Sequence, residues 1–126
     1  MNLKKLDKVF SEYIRRRDAD MDGMVKCCTC NTKKHWKKMD AGHWIRRSKS
    51  LITKYHEKNC HAQCIPCNQF REGNPEKYDR FIINKYGVEV FDELIELSNT
   101  ETKWIQFEVD ELTDVYKKKI KDLDIT

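Results

Sequence analysis

Cys27-Cys28-Thr29-Cys30 and Cys64-Ile65-Pro66-Cys67-Asn68 decide how this chain of 126 residues folds. Each stretch holds a C-x2-C pair, and two such pairs make the ligand set of one tetrahedral zinc ion. Pairs of this kind usually stand roughly 15–20 residues apart. Here the interval is longer, so the metal would tie off a loop large enough to hold a β-hairpin. Cys27, Cys30, Cys64 and Cys67 are the expected ligands of a structural Zn²⁺. Cys28 could replace Cys27 in a tighter knuckle, and Cys60 reads as a core thiol. Disulfides suit a secreted chain, but Met1-Asn2-Leu3-Lys4-Lys5-Leu6-Asp7 offers no apolar signal core. No apolar run approaches the roughly 20 residues of a membrane span. The expectation is a soluble protein of the cytoplasm.

Charge narrows the partner. Charged residues make up 37% of the chain, so the core must be modest and metal cross-linking would compensate. The net charge of +4 hides an asymmetry. Residues 1–73 hold 17 Lys/Arg against 8 Asp/Glu, whereas residues 74–126 hold 8 against 13. A basic region that coincides with the cysteine region points to a polyanion, and DNA is the expected partner. The candidate phosphate contacts are Arg15, Arg16 and Arg17, then Lys33, Lys34, Lys37 and Lys38, then Arg46, Arg47 and Lys49. A solvated basic face, or dipole compensation where Arg15–Arg17 close a helix, is the plainer explanation of the same charges. Trp36 among lysines can stack on a base or pack under the knuckle.

Around the cysteines the periodicity predicts an α+β protein. Leu3, Leu6, Val9, Phe10, Tyr13 and Ile14 predict an amphipathic helix over 2–19. Asp18–Gly23 predicts a loop. Residues 39–46 and 58–63 read as strands flanking a polar loop at 47–57, and 65–72 reads as a short helix. Asn74-Pro75 starts a helix that Gly87 stops, and Val88 to Ile95 continues as another. Ser98-x-x-Glu101 has the pattern of a capping box for a last helix. Its stripe of Ile105, Val109, Leu112, Tyr116, Ile120 and Leu123 would pack on the first helix or pair with a second subunit. The expected organisation is an N-terminal helix and loop at 1–23, a zinc-bound core at 24–73 and a helical extension at 74–126 that could dimerise.

The zinc loop also carries residues with chemistry. Asp40 and Asn68 offer hard oxygens suited to Mg²⁺ or Mn²⁺. His43 has the ordinary poise of a general base near neutral pH. Asn59, on the facing strand, could hold that ring, while His61 and Gln63 share its strand face and could line the site. A base, a divalent ion and a basic surface together suit phosphodiester hydrolysis. Taken singly, each residue also has an ordinary structural role: a half-buried histidine, a helix cap, a turn aspartate.

This arrangement resembles the HNH, or His-Me finger, nucleases with their ββα-metal core. His43 on the first strand, Asn59 on the second and Asn68 on the helix fall where that family keeps its base, its supporting residue and its metal ligand. The layout is similar to phage endonuclease VII, which also sets an Asp and a His between two cysteine pairs. Tyr13–Asp20, Asp40-Ala41-Gly42-His43-Trp44 and Asn59–Asn68 resemble the motifs of the phage lambda NinG/Rap recombination family over roughly residues 3–97. The resemblance implies an HNH-type endonuclease of phage recombination, cutting branched DNA such as Holliday junctions or D-loops with catalytic Mg²⁺ or Mn²⁺. It implies a homodimer in a bacterial host cell, with recombination proteins as possible partners. A zinc-bound DNA-binding module without chemistry, or an HNH nicking or restriction-type enzyme on duplex DNA, accounts for much of the same pattern. One departure stands out. In many HNH sites an acid directly precedes the base, but here Gly42 precedes His43 and Asp40 lies three residues back. Asp40 is therefore a weaker ligand candidate than Asn68. His43 could itself bind metal, with His61 as the base.

Overall fold

The computed structural model describes residues 1–125. Its first element, helix α1 (Lys4–Arg17), buries Leu6, Phe10 and Ile14, one residue per turn. The expected 2–19 helix is thus two residues shorter at each end. It stops where Asp20 turns the chain, its Oδ1 accepting from the backbone of Asp22 at 3.0 Å and Met24 at 2.9 Å. Strands β1 (Met24–Lys26) and β2 (Lys33–His35) follow as a small antiparallel hairpin. At three residues each, these strands are too short for side-chain alternation to show in the sequence. The knuckle closes by Asn31 N–H donating to Cys27 O at 3.0 Å, with Asn31 in the left-handed region at φ 63°.

Strands β3 (Met39–His43) and β4 (Cys60–Cys64) form the central antiparallel pair. Their register sets Met39 opposite Cys64, Asp40 opposite Gln63, Ala41 opposite Ala62, Gly42 opposite His61 and His43 opposite Cys60. Because side chains alternate, Met39, Ala41 and His43 share one face while Asp40 and Gly42 share the other. The Ala41 side meets α1 through Cys60, Leu6, Phe10 and Ile14. The other side meets helix α3 (Pro75–Tyr86), where His61 sits between Tyr78 and Tyr86. All five residues of β4 are buried, as a strand covered on both faces requires.

The expected strand over 39–46 ends early for a local reason. Asn59 takes the backbone of Ile45 into its own amide, accepting from Ile45 N at 2.8 Å and donating to Ile45 O at 3.1 Å. The chain therefore leaves the sheet after His43. The expected loop at 47–57 contains a single helical turn, α2 (Leu51–Lys54). The short helix after β4 is a π turn, Pro66–Phe70. Asn74 does precede α3, but it adopts φ 53° and its side chain caps nothing. Gly87, at φ 92°, stops α3 as expected, and α4 (Val88–Ser98) follows.

The Ser98–Glu101 capping box does not form. Ser98 ends α4 and donates its hydroxyl to Ile95 O at 2.6 Å. The last helix, α5 (Gln106–Leu123), begins later, with Ile105 N–H donating to the Glu108 carboxylate at 3.2 Å. Its stripe packs on α1. Val109 and Tyr116 are buried there, and Tyr116 meets Phe10 edge-on at 4.9 Å. Each such side chain contributes roughly 1.5–3 kcal/mol of burial. No helix among the described residues is long and apolar enough to cross a membrane.

Gly42 is a demand of this packing. A Cβ there would lie 2.0 Å from Gln63 Oε1 and 2.8 Å from Gln63 Cβ. Gln63 cannot retreat cheaply, because it is fully buried and its amide donates to Gly73 O at 2.7 Å and Thr29 Oγ1 at 3.1 Å. Gly42→Ala is expected to cost about 1–3 kcal/mol, the usual range for overpacking. A urea titration that gave the wild-type midpoint would contradict this packing argument.

Candidate functional site

Four sulfurs meet where the two hairpins join. The Sγ atoms of Cys27, Cys30, Cys64 and Cys67 all lie within 4.8 Å of one another. Cys30 and Cys64 are 3.6 Å apart. Zn–S bonds of about 2.3 Å imply a tetrahedral edge of about 3.8 Å, whereas a disulfide needs about 2.05 Å. The cluster thus fits one zinc ion and no disulfide. The choice between the two adjacent thiols is also resolved, since Cys27 joins the cluster and Cys28 does not. Cys60 is a fully buried core thiol. A metal here ties the knuckle after β1 to the end of β4 and the π turn, which fixes β3–β4 in place.

His43 projects from β3 toward α1. Its Nε2 lies 2.8 Å from Lys54 O. A carbonyl only accepts, so Nε2 carries the proton and Nδ1 keeps its lone pair. Cys60 Sγ lies 3.9 Å from that nitrogen. Burial, reinforced by Arg47 and Lys54, lowers the His43 pKa to about 4, against an opposing contribution from the Lys54 carbonyl and Asp7. The ring is neutral at physiological pH. The hydrogen bonds of the Asn59 side chain go to backbone rather than to the ring. The Asn59 amide donates to Thr53 O at 2.8 Å, so it holds the peptide whose neighbour, Lys54, holds the ring.

The sign of the pH dependence follows. The folded pKa of His43 lies below its unfolded value of about 6.5, so the unfolded chain binds more protons. The stability this contributes is fully present above about pH 6.5 and is lost as pH falls through 4. We expect the His43 ring resonances, followed by NMR, to titrate near pH 4. A midpoint near 6.5 would show an open, hydrated ring instead.

A cavity of about 270 Å³ opens beside His43, lined also by Asp7, Lys8, Arg47, Lys54 and Tyr55. Asp7 organises it. Its carboxylate is 3.1 Å from Lys54 Nζ and 3.4 Å from Arg47, and it accepts from Tyr55 Oη at 2.5 Å. Asp7, Lys54 and Tyr55 were not singled out from sequence. Asp7 reads there as an ordinary first-turn acid, and only the fold brings it over the β3–β4 loop.

Asp40 and Asn68 meet on the opposite face of the hairpin. Asn68 Nδ2 donates to Asp40 Oδ2 at 2.9 Å, and Gln69 Nε2 donates to the same oxygen at 2.8 Å. What meets here is one carboxylate oxygen and two amide N–H groups, so Asp40 supplies the oxygen and the two amides hold it. Gly42, where the resemblance leads one to look for an acid, has no room for any side chain because Gln63 fills the space. Gln63 is fully buried and does not line the His43 cavity, whereas His61 stands at the floor of a separate cleft of about 440 Å³, between β1 and α3 and away from His43. His61 is buried with Nε2 at 2.7 Å from Tyr86 Oη and Nδ1 at 3.3 Å from Tyr78 Oη.

The basic candidates separate into two groups. Arg17 donates to Glu57 O at 2.8 Å and Cys60 O at 3.1 Å, fastening the start of β4. Arg15 donates to Trp36 O at 3.4 Å, and Arg16 pairs with Glu12 and Asp124. Both guanidinium groups lie over the Trp36 ring, at 5.1 and 5.3 Å, so Trp36 packs under α1. Lys33 pairs with Asp20 at 3.2 Å and Arg47 with Asp7. Lys34, Lys38, Arg46 and Lys49 have no carboxylate partner among the described residues, and Lys37 only leans on Trp36 at 5.8 Å.

Comparison with known proteins places the sequence. A family model described as Bacteriophage Lambda NinG protein matches residues 2–125. Protein ninG of Escherichia phage lambda is 32% identical over 123 residues, covering 96% of this chain and 56% of the phage protein. Protein ninG of Escherichia phage 933W is 32% identical and that of Salmonella phage P22 is 31% identical, with 96% of this chain and 57% of each relative covered. The chain thus spans a little over half the length of these relatives. No solved structure matches it. The relatives' name states no activity, and this overturns the expectation of a recombination endonuclease hydrolysing branched DNA. What the match carries is membership: the chain belongs to the NinG family of lambdoid phages.

Proposed function

We propose that this chain is a zinc-tied DNA-binding protein whose β3–β4 hairpin and following turn form a ββα core of the HNH type. The observation that carries the proposal is the cationic loop after β3. Arg46 and Lys49 stand exposed there without a carboxylate partner among the described residues, beside the cavity lined by Lys8, Arg47 and Lys54. Neutralising backbone phosphates with such groups releases counterions, which is the main source of affinity for DNA. The zinc site would hold the loop's base rigid, so the cations need not be ordered on binding. With the Asn68 and Gln69 amides turned so that their oxygens join the Asp40 carboxylate, the same three side chains would seat Mg²⁺ or Mn²⁺ and add a positive charge facing a phosphate.

The test is fluorescence anisotropy of the zinc-loaded chain with a labelled DNA duplex over a range of salt concentrations. Affinity should fall linearly with salt on logarithmic axes. Arg46→Ala and Lys49→Ala should each reduce that slope by about 0.9, the value for one phosphate contact. Absence of binding at low salt, or affinity indifferent to salt, would overturn the reading. For the cation seat, Mn²⁺ should broaden the NMR signals of Asp40, Asn68 and Gln69 before others. Broadening elsewhere alone would remove it.

A further inference from the structure

We infer that the cleft between the β3–α2 loop and the α4–α5 linker is a second seat for a DNA backbone phosphate. This rests on the DNA-binding reading and extends it onto the acidic half of the chain. The cleft encloses about 740 Å³. Arg47, Lys49, Ser50 and Lys54 line one wall, and Thr102 and Lys103 line the other. It shares Arg47 and Lys54 with the His43 cavity, so the two lie side by side.

The hydroxyls single this cleft out. Among the described residues, only three buried side-chain polar atoms lack a hydrogen-bond partner: Ser50 Oγ, Thr102 Oγ1 and Gln63 Oε1. Two of the three line this one cleft, from opposite walls. Buried polar groups are nearly always bonded, so two unbonded hydroxyls at one place have donor capacity to offer a ligand. A hydroxyl donates well to a phosphate oxygen. The charges fit the same ligand. Lys49 and Lys103 are exposed and have no carboxylate partner among the described residues. Lys54 is 8% exposed and its ammonium is held by Asp7 at 3.1 Å. Among the described residues Glu101, on the linker wall, is the one carboxylate lining the cleft, against four cations, of which Arg47 and Lys54 already face Asp7. A dianion or a strand phosphate would therefore meet a net positive site with two hydroxyl donors.

The two hydroxyls and the charges give separable readouts, measured on the zinc-loaded full chain with the same labelled duplex. Lys103→Ala should lower the salt slope by about 0.9. Lys77→Ala, an exposed lysine on α3 outside this cleft, should leave it unchanged. Thr102→Val keeps the shape and charge and removes the hydroxyl. It should weaken DNA binding several-fold at unchanged salt slope, while its melting temperature stays equal to or above that of the wild type, since a buried unpaired hydroxyl has been removed. If the wild type binds DNA and both Lys103→Ala and Thr102→Val bind equally well, the cleft is not a phosphate seat although the DNA-binding reading stands. If the wild type fails to bind DNA, both fall. Inorganic phosphate supplies the remaining arm. Should it shift the NMR signals of Thr102 and Lys103 while duplex does not, the cleft takes a free anion and the strand assignment is overturned.

Discussion

A Cys64→Ser chain will lose its zinc and, with it, the cooperative unfolding transition of the β3–β4 core. Cys64 ends β4 and is also one corner of the sulfur tetrahedron, so a single substitution opens both. Structural zinc contributes about 10–16 kcal/mol in small domains, as much as or more than the about 5–15 kcal/mol net stability of a typical fold. The core has little to offset that loss. The cluster around the sulfurs is small: among the described residues its buried side chains besides the cysteines are Val25, Met39 and Ala62. Native mass spectrometry should count one zinc in the wild type and none in Cys64→Ser, whose amide spectrum should collapse. Cys28→Ser should keep its zinc, because Cys28 stands outside the cluster. A Cys64→Ser chain with one zinc and a native spectrum would refute the site. Chelator treatment of the wild type should reproduce the collapse.

Asn59→Ala should be the most damaging substitution away from the cysteines. The side chain is fully buried and makes three bonds to backbone, with Ile45 N, Ile45 O and Thr53 O. Truncation leaves those groups without a partner where water does not reach, at about 1–3 kcal/mol each before relaxation. A loss of roughly 3–5 kcal/mol is expected, read from chemical denaturation. A second signature follows from position. Thr53 and Lys54 are neighbours, and Lys54 O holds the His43 ring. With the loop released, the His43 pKa should rise from about 4 toward its ordinary value. An Asn59→Ala chain with unchanged stability and an unchanged His43 titration would show that the loop is fixed by something else.

The zinc ligands were legible in the sequence because C-x2-C spacing is a local signal and the metal demands it. The helices were legible where an apolar stripe met a plain stop, as at Gly87. The short elements were not. β1 and β2 are three residues each, and α2 is one turn, too short for any periodicity to show. The Ser98–Glu101 pattern misled because the same residues also suit the end of a helix, and Ser98 turned its hydroxyl back to Ile95 O. The site divides in the same way. The motif singled out Asp40 and Asn68 as metal ligands, and the fold joins them by an amide-to-carboxylate hydrogen bond; the opposite facing of His43 was readable from strand alternation. The neighbours of His43 were not readable, since Asp7 arrives from a helix far away in sequence, and nor was the second cleft, where Lys103 arrives from a linker in the acidic half. Arg17 shows the converse. It read as a phosphate contact, but the fold directs its guanidinium to two carbonyls.

The measurement that tests the account most directly is an amide NMR titration of the zinc-loaded chain with a short DNA duplex. The largest shifts should fall on residues 46–54 and spread to Lys8 and Lys103, with the exposed face of α5 around Glu111 and Val115 unmoved. Shifts centred on α5, or a spectrum unchanged at saturating duplex, would contradict it.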